Sequence, residues 1–295
     1  MELTNERLLE LNYEGLIPGP KENTAAFLTR AEHCLALKTT IITELKDQLP
    51  FVEKELGPAT VLQSAYDRTE KLFDIAPTWI PVFLSNRQLM PWHGGCAWIF
   101  QITKDSPPMA FFQLNRAFAT RDCYLGYRKT ELVAHELAHV GRMTFEEPKF
   151  EELLAYETSS VPYRRWLGPI LQSSYEALIL LGLLIMTLVV DLFALTSSKA
   201  GAIPAAMWWK LLPAGYFAYL LARLWWRRRA FKACQQNLKH TVTTEQGANA
   251  ILYRLTDAEI VDFAKKTPEQ IRLYAEEQST KSLRWRLIAL AYFGM

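Results

Sequence analysis

The stretch that most restricts this chain is residues 177–196, an apolar run in which Asp191 is the single charged residue. About 20 helical residues cross the hydrocarbon core of a bilayer. A helix that is apolar on every side has no face for water, so it belongs in lipid or in the middle of a large soluble core. A second apolar stretch follows over about residues 203–226, with Lys210 and Pro213 inside it. The short link at 197–201 makes the two stretches antiparallel neighbours. The expectation is a two-helix transmembrane hairpin, set within residues 171–229. A helical hairpin buried in a soluble core is the alternative, and the unbroken apolarity of the first arm argues against it.

Charge orients such a hairpin. Arg164 and Arg165 precede it, and Arg227, Arg228, Arg229 and Lys232 follow it, whereas the link carries only Lys199. The positive-inside rule then puts both termini in the cytoplasm, as for a protein of the cell's inner or plasma membrane. Trp166 and Trp225–Trp226 would mark the cytoplasmic interface and Trp208–Trp209 the far one. Asp191 and Lys210 lie at similar depth. They either pair with each other or each reach the outer interface, and either arrangement lessens the cost of a charge in lipid.

Chemistry is concentrated elsewhere, in the segment His135-Glu136-x-x-His139. Residues four apart on a helix share a face, so His135 and His139 can offer two imidazoles to one metal. Glu136 is placed to take a proton from a metal-bound water. The alternative is an ordinary amphipathic helix with two surface histidines. The Leu, Val and Ala around the motif make unpaired polar groups costly there, which favours the metal reading. The helix is expected over about 129–140 with Gly141 as its C-cap. Pro148 suits the first turn of the next helix.

A hydrolytic zinc takes three protein ligands and a water. Glu151, Glu152 and Glu157 follow on the second helix. If the two helices form an antiparallel hairpin, a rise of ~1.5 Å per residue puts Glu151 and Glu152 level with the histidines, both at roughly 6 Å. Glu157 falls more than a turn too far along. Glu151 points about 100° away from Glu152. Sequence does not set that rotation; Glu152, which shares its face with Ala155, Tyr156 and Ser159, is favoured, with Glu151 left open.

His135-Glu136-x-x-His139 followed by Glu152-Leu-Leu-Ala155 resembles the gluzincins, the zinc metalloproteases that include thermolysin and several membrane-bound bacterial enzymes. The resemblance covers about residues 96–160. It implies a zincin-like catalytic core over residues 76–170, with Zn²⁺ on His135, His139 and Glu152 and with Glu136 as the catalytic base. It also implies an edge strand that receives an extended peptide substrate. The gap from His139 to Glu152 is shorter than usual in that group. Tyr156 stands where many members carry an acid that orients a ligand histidine. The oxyanion-stabilising residue is open among Tyr127, Tyr156, Tyr163 and Arg164. The longer metzincin pattern is not met.

The remaining segments supply the frame. Residues 5–15 and 24–55 read as helices of an N-terminal arm over 1–75, and His33 and Cys34, pointing apart, make no metal site there. Residues 79–84, 96–102 and 109–114 are short aromatic and β-branched runs that read as a small sheet. His93 reads as a turn residue, with a role near the substrate as the alternative. Residues 230–295 read as a helical cytoplasmic region, with helix starts at Thr256 or Asp257 and at Thr267. His240 reads as structural. The basic and apolar segment 281–293 either lies on the membrane surface or packs on the domain. The fold class expected is therefore α+β, mainly helical.

Composition narrows the function. With 50% hydrophobic residues the chain is not disordered, and a net charge of +2 without charge runs excludes a nucleic-acid binder driven by charge. Cys34, Cys96, Cys123 and Cys234 lack C-x-x-C spacing and read as reduced thiols. The first residues lack the pattern of a signal peptide. The expectation is a membrane-anchored zinc metallopeptidase acting on a protein or peptide. A non-catalytic membrane scaffold with a structural or vestigial zinc site is the rival, and hydrolysis of a non-peptide bond at the same site is a third reading.

Overall fold

A computed structural model describes residues 3–44, 51–90, 93–101, 106–197 and 202–295. The architecture is α+β, mostly helical, with one small mixed sheet. The N-terminal helices are α1 (Asn5–Tyr13), α2 (Thr24–Glu44) and α3 (Thr60–Phe73). The long helix expected over 24–55 is described to Glu44; residues 45–50 lie outside the described residues. From Phe51 the chain is extended apart from a 3₁₀ turn at Glu53–Glu55. Pro50 has no N–H to continue a helix ladder.

The sheet holds β1 (Val82–Leu84), β2 (Gly95–Phe100) and β3 (Met109–Leu114) in the order β1-β3-β2. β3 runs parallel to β1, pairing Phe112 with Val82, and antiparallel to β2, pairing Leu114 with Gly95. All six residues of β3 are buried, as a near-continuous apolar run in a central strand should be. Its one polar side chain, Gln113, is satisfied: it accepts from Trp98 Nε1 at 3.0 Å and donates to the carbonyls of Ser85 and Arg87. β3 matches its expected run, β1 covers only Val82–Leu84 of the run 79–84, and β2 spans Gly95–Phe100 where 96–102 was expected; Ile102 lies outside the described residues. β2 is left as an edge strand beside the motif helix.

A two-stranded hairpin, β4 (Cys123–Tyr124) and β5 (Tyr127–Arg128), leads into α4 (Lys129–Val140), and α5 (Pro148–Glu157) and α6 (Pro162–Leu167) follow. α3 packs along α4, and α5 returns against it. The C-terminal helices are α9 (Leu211–Thr241), α10 (Glu245–Arg254), α11 (Asp257–Phe263), α12 (Pro268–Ser279) and α13 (Leu283–Ile288). Thr256 and Thr267 start α11 and α12 with capping boxes completed by Glu259 and Gln270.

One buried cluster joins these parts. It contains Leu8 and Phe27 from the N-terminal helices, Phe112, Leu137 and Leu154 from the middle of the chain, and Tyr253 and Trp285 from the C-terminal helices. Arg254 stitches the ends together, donating to Asn12 Oδ1 at 2.7 Å and to the Phe73 carbonyl at 2.8 Å. The segment after 281 packs on this domain, burying Arg284, Trp285, Leu287 and Ile288. Arg284 forms two 2.9 Å bonds with Glu259, and Trp285 Nε1 donates to the same carboxylate at 2.7 Å.

α7 (Ser174–Thr196) stands apart from that core. Among the described residues it supplies the one helix, Tyr175–Thr196, long and apolar enough to cross a bilayer, with a mean hydropathy of 2.8 and nearly all of it outside the core. The second arm of the expected hairpin is not a second continuous span. It is broken into α8 (Ala202–Trp209) and α9, with Lys210 in the turn between them. Pro213 explains the break: it has no N–H for the Trp209 carbonyl, and its ring crowds that carbonyl. Both pieces still lie against α7. Asp191 pairs with Lys210 at 3.2 Å, and Glu176 of α7 accepts from Arg223 of α9 at 2.9 Å. Residues 198–201 of the link lie outside the described residues.

Candidate metal centre

α4 and α5 form the expected antiparallel hairpin, and they bring three side chains to one point. The Nε2 atoms of His135 and His139 are 3.3 Å apart. Glu152 Oε2 is 3.8 Å from His135 Nε2, and Glu152 Oε1 is 3.7 Å from His139 Nε2. Two nitrogens bound ~2.0–2.1 Å from a tetrahedral zinc stand about 3.3 Å apart, so the histidine spacing fits that ion without rearrangement. Among the described residues, this is the one group of three or more such side chains able to hold a metal ion.

Glu151, the alternative ligand, is used differently. Its Oε1 accepts from His139 Nδ1 at 3.0 Å, and its Oε2 from Arg142 Nε at 3.1 Å. With Nδ1 donating to Glu151, the second proton that the neighbouring carboxylates hold on the His139 ring sits at Nε2, the atom that faces Glu152, and a cation bound there would displace it. The rotation that sequence left open therefore turns Glu152 toward the two Nε2 atoms and puts Glu151 behind a histidine. Glu151 thus fixes the orientation of the His139 ring. Tyr156 packs its ring against His135, with centroids 4.7 Å apart. His135 is itself hydrogen-bonded to the backbone of Ala155.

Electrostatics suit a cation. Burial and the adjacent His139 push His135 down to about 3, which keeps it a neutral imidazole. Burial opposes charge on His139 as well, but the Glu151 hydrogen bond and the charges of Glu151, Glu152 and Glu136 outweigh it and hold His139 up at about 9. The carboxylates of Glu136, Glu151 and Glu152 thus surround the two histidines, with Glu151 also paired to Arg142. Burial raises Glu136, against the lowering effects of His139 and of a 2.8 Å bond from the Ala97 N–H of β2. A carboxylate raised in this way is a better base than a solvated one.

The site opens on a cleft of about 240 Å³ lined by His93, Gly95, Tyr127, His135, Glu136 and Tyr156, among others. Gly95 is required where it stands: a Cβ would lie 2.6 Å from the Gln113 carbonyl oxygen. A larger cavity of about 550 Å³ lies over the start of α4, between Thr60, Cys123 and Lys129. It contains none of the converging groups, so the smaller cleft is the one that adjoins the candidate site. The chain matches no family model, no curated protein and no solved structure.

Of the four oxyanion candidates, Tyr127 and Tyr156 line the cleft. Arg164 is committed to Glu131 at 3.3 Å and to the Gly126 carbonyl at 2.7 Å, and Tyr163 is exposed. His93 joins the cleft wall, whereas His33 and His240 are exposed and distant from the motif in the chain. Sequence reasoning missed Glu131, buried one turn before His135 and bonded to Ser159 and Arg164. Its position at i−4 from His135 was the available signal. It also missed Arg142 and Tyr253, which are separated by more than a hundred residues and had no local signal at all.

Proposed function

We propose that this protein is a membrane-anchored zinc metallopeptidase of gluzincin type. One observation carries the reading: His135 Nε2, His139 Nε2 and the Glu152 carboxylate converge, next to Glu136, which with His135 lines an open cleft. His135, His139 and Glu152 would hold Zn²⁺, which when bound supplies a Lewis acid for the scissile carbonyl and lowers the pKa of a water. Glu136 would take the proton from the attacking water and return it to the leaving amine. The Ala97 N–H fixes one oxygen of Glu136, which orients the base before substrate arrives. A substrate segment in extended form would add to the edge of β2. A purely structural metal has no use for a buried, raised carboxylate at Glu136, and this favours the enzyme over the scaffold.

α7 would anchor the enzyme in the bilayer. Trp166, Trp225 and Trp226 are all half-exposed or more, and Arg165, Arg227 and Arg229 lie beside them in sequence. An aromatic and basic collar of this kind suits the cytoplasmic interface, and it supports a cleft that faces the cytoplasm and takes proteins at or near the membrane. The decisive experiment is metal analysis of the purified protein together with casein hydrolysis by wild type and Glu136→Gln. Glu136→Gln should keep its zinc and lose about 10²–10⁴-fold in rate. Unchanged hydrolysis with zinc bound would end the proposal.

A further inference from the structure

We propose that Arg142 is a positioning residue for the metal site, and that the C-terminal helices reach that site through it. The inference rests on the metallopeptidase reading and adds a dependence on a segment far from the motif. Arg142 is almost completely buried. Its Nε holds Glu151 Oε2 at 3.1 Å, and the other oxygen of Glu151 holds the His139 ring at 3.0 Å. Its Nη1 is held by the carbonyl oxygens of Tyr253 and Leu255, at 2.5 and 2.9 Å. The Phe145 ring lies 4.3 Å from the guanidinium carbon. A chain of contacts thus runs from the end of α10 through Arg142 and Glu151 to a nitrogen of His139.

A second contact ties the same two regions. The Tyr253 hydroxyl donates to the carbonyl of Ala138, the residue before His139, at 2.7 Å. Gly141 makes this possible, because a Cβ there would collide with the Tyr253 hydroxyl. Stability alone is a poor explanation for Arg142. Its Nη2 has no hydrogen-bond partner among the described residues, and a buried cation with an unmatched donor is commonly less stable than an apolar side chain of similar volume. What the arginine does supply is direction. Glu151 is partly exposed; without Arg142 it is free to swing away from His139 or toward the metal as a competing ligand.

The test is zinc affinity of the full chain in detergent, by chelator competition, with the visible spectrum of the cobalt-substituted protein as a second readout. Arg142→Met should weaken zinc about 10–100-fold, the range found when a group orienting a metal-bound histidine is removed, and should alter the cobalt bands. Arg142→Lys, which keeps a cation beside Glu151, should recover part of both. Glu151→Ala should match Arg142→Met, and the double variant should lose little more than either. A folded Arg142→Met with wild-type affinity and cobalt spectrum overturns the proposal. If Arg142→Met does not fold, Glu151→Ala decides, and wild-type behaviour there overturns it equally. Failure of the wild type to bind zinc would sink the metal reading itself, whereas normal zinc in every variant sinks only the role of Arg142.

Discussion

His139 sits between two adjacent glutamates that do different things to it: Glu151 bonds its Nδ1 at 3.0 Å, while Glu152 stands 3.7 Å from its Nε2. One side of the ring is hydrogen-bonded to Glu151, and the other faces the Glu152 carboxylate, where the proposed cation would sit. Consecutive residues on a helix point about 100° apart, and here that angle is used to grip the ring from front and back.

The two glutamates should therefore separate in a binding experiment. His135→Ala, His139→Ala and Glu152→Ala should each lose stoichiometric zinc at micromolar metal, a loss of at least ~100-fold in affinity, about 2.7 kcal/mol. Glu151→Ala should still bind one zinc, more weakly than wild type. Equilibrium dialysis with metal analysis reads this directly. The opposite ranking would make Glu151 the ligand.

Asp191 and Lys210 should be coupled. Removing one partner of a 3.2 Å pair leaves the other charge alone beside an apolar helix. Asp191→Asn and Lys210→Gln should each destabilise the protein in detergent, and the double variant should cost less than the sum of the two. An interaction energy of about 0.5–1 kcal/mol is expected from unfolding curves. Strictly additive losses would mean that the two groups act independently.

Acid should weaken the C-terminal helices through Glu259. Burial alone would raise this carboxyl, but the Arg284 charge and hydrogen bonds, with those from Thr256 and Trp285, hold it below its ordinary value. A carboxyl depressed in the folded state stabilises the fold fully above its unfolded pKa of about 4.3. That stability is lost as pH falls through the lower folded value. Glu259→Gln should flatten the part of the stability–pH curve that Glu259 contributes below about pH 5. At neutral pH it should also cost about 3–5 kcal/mol, because Arg284 is left buried without its partner. Urea unfolding of both proteins from pH 7 to pH 3 gives the comparison; parallel curves would reject the assignment.

Gly141→Ala should destabilise far more than a helix-end substitution in a residue with ordinary dihedrals. Gly141 has φ −63°, so its backbone is not what excludes a side chain. The Tyr253 hydroxyl is. A loss of about 1–3 kcal/mol is expected, the cost of overpacking a filled core. Tyr253→Phe, which removes that hydroxyl, should make the alanine better tolerated. Equal penalties in both backgrounds would place the conflict elsewhere.

Local chemistry let the sequence specify much of this molecule. Apolar runs of the right length marked β3 and α7, prolines and capping threonines marked the starts of α5, α11 and α12, and four-residue spacing put His135 and His139 on one face of α4. Each of these depends on neighbours a few residues apart, and such neighbours are visible in the chain itself. Tertiary structure decided what depends on rotation and on distant partners. It turned Glu152 toward the histidines and Glu151 behind one of them, because the roll of α5 is set by what α5 packs against. It split the second apolar arm at Lys210, where Pro213 outweighed the hydropathy of the run. It also brought Tyr253 and Leu255 onto Arg142, a contact that no local pattern encodes because only the folded core makes those residues neighbours.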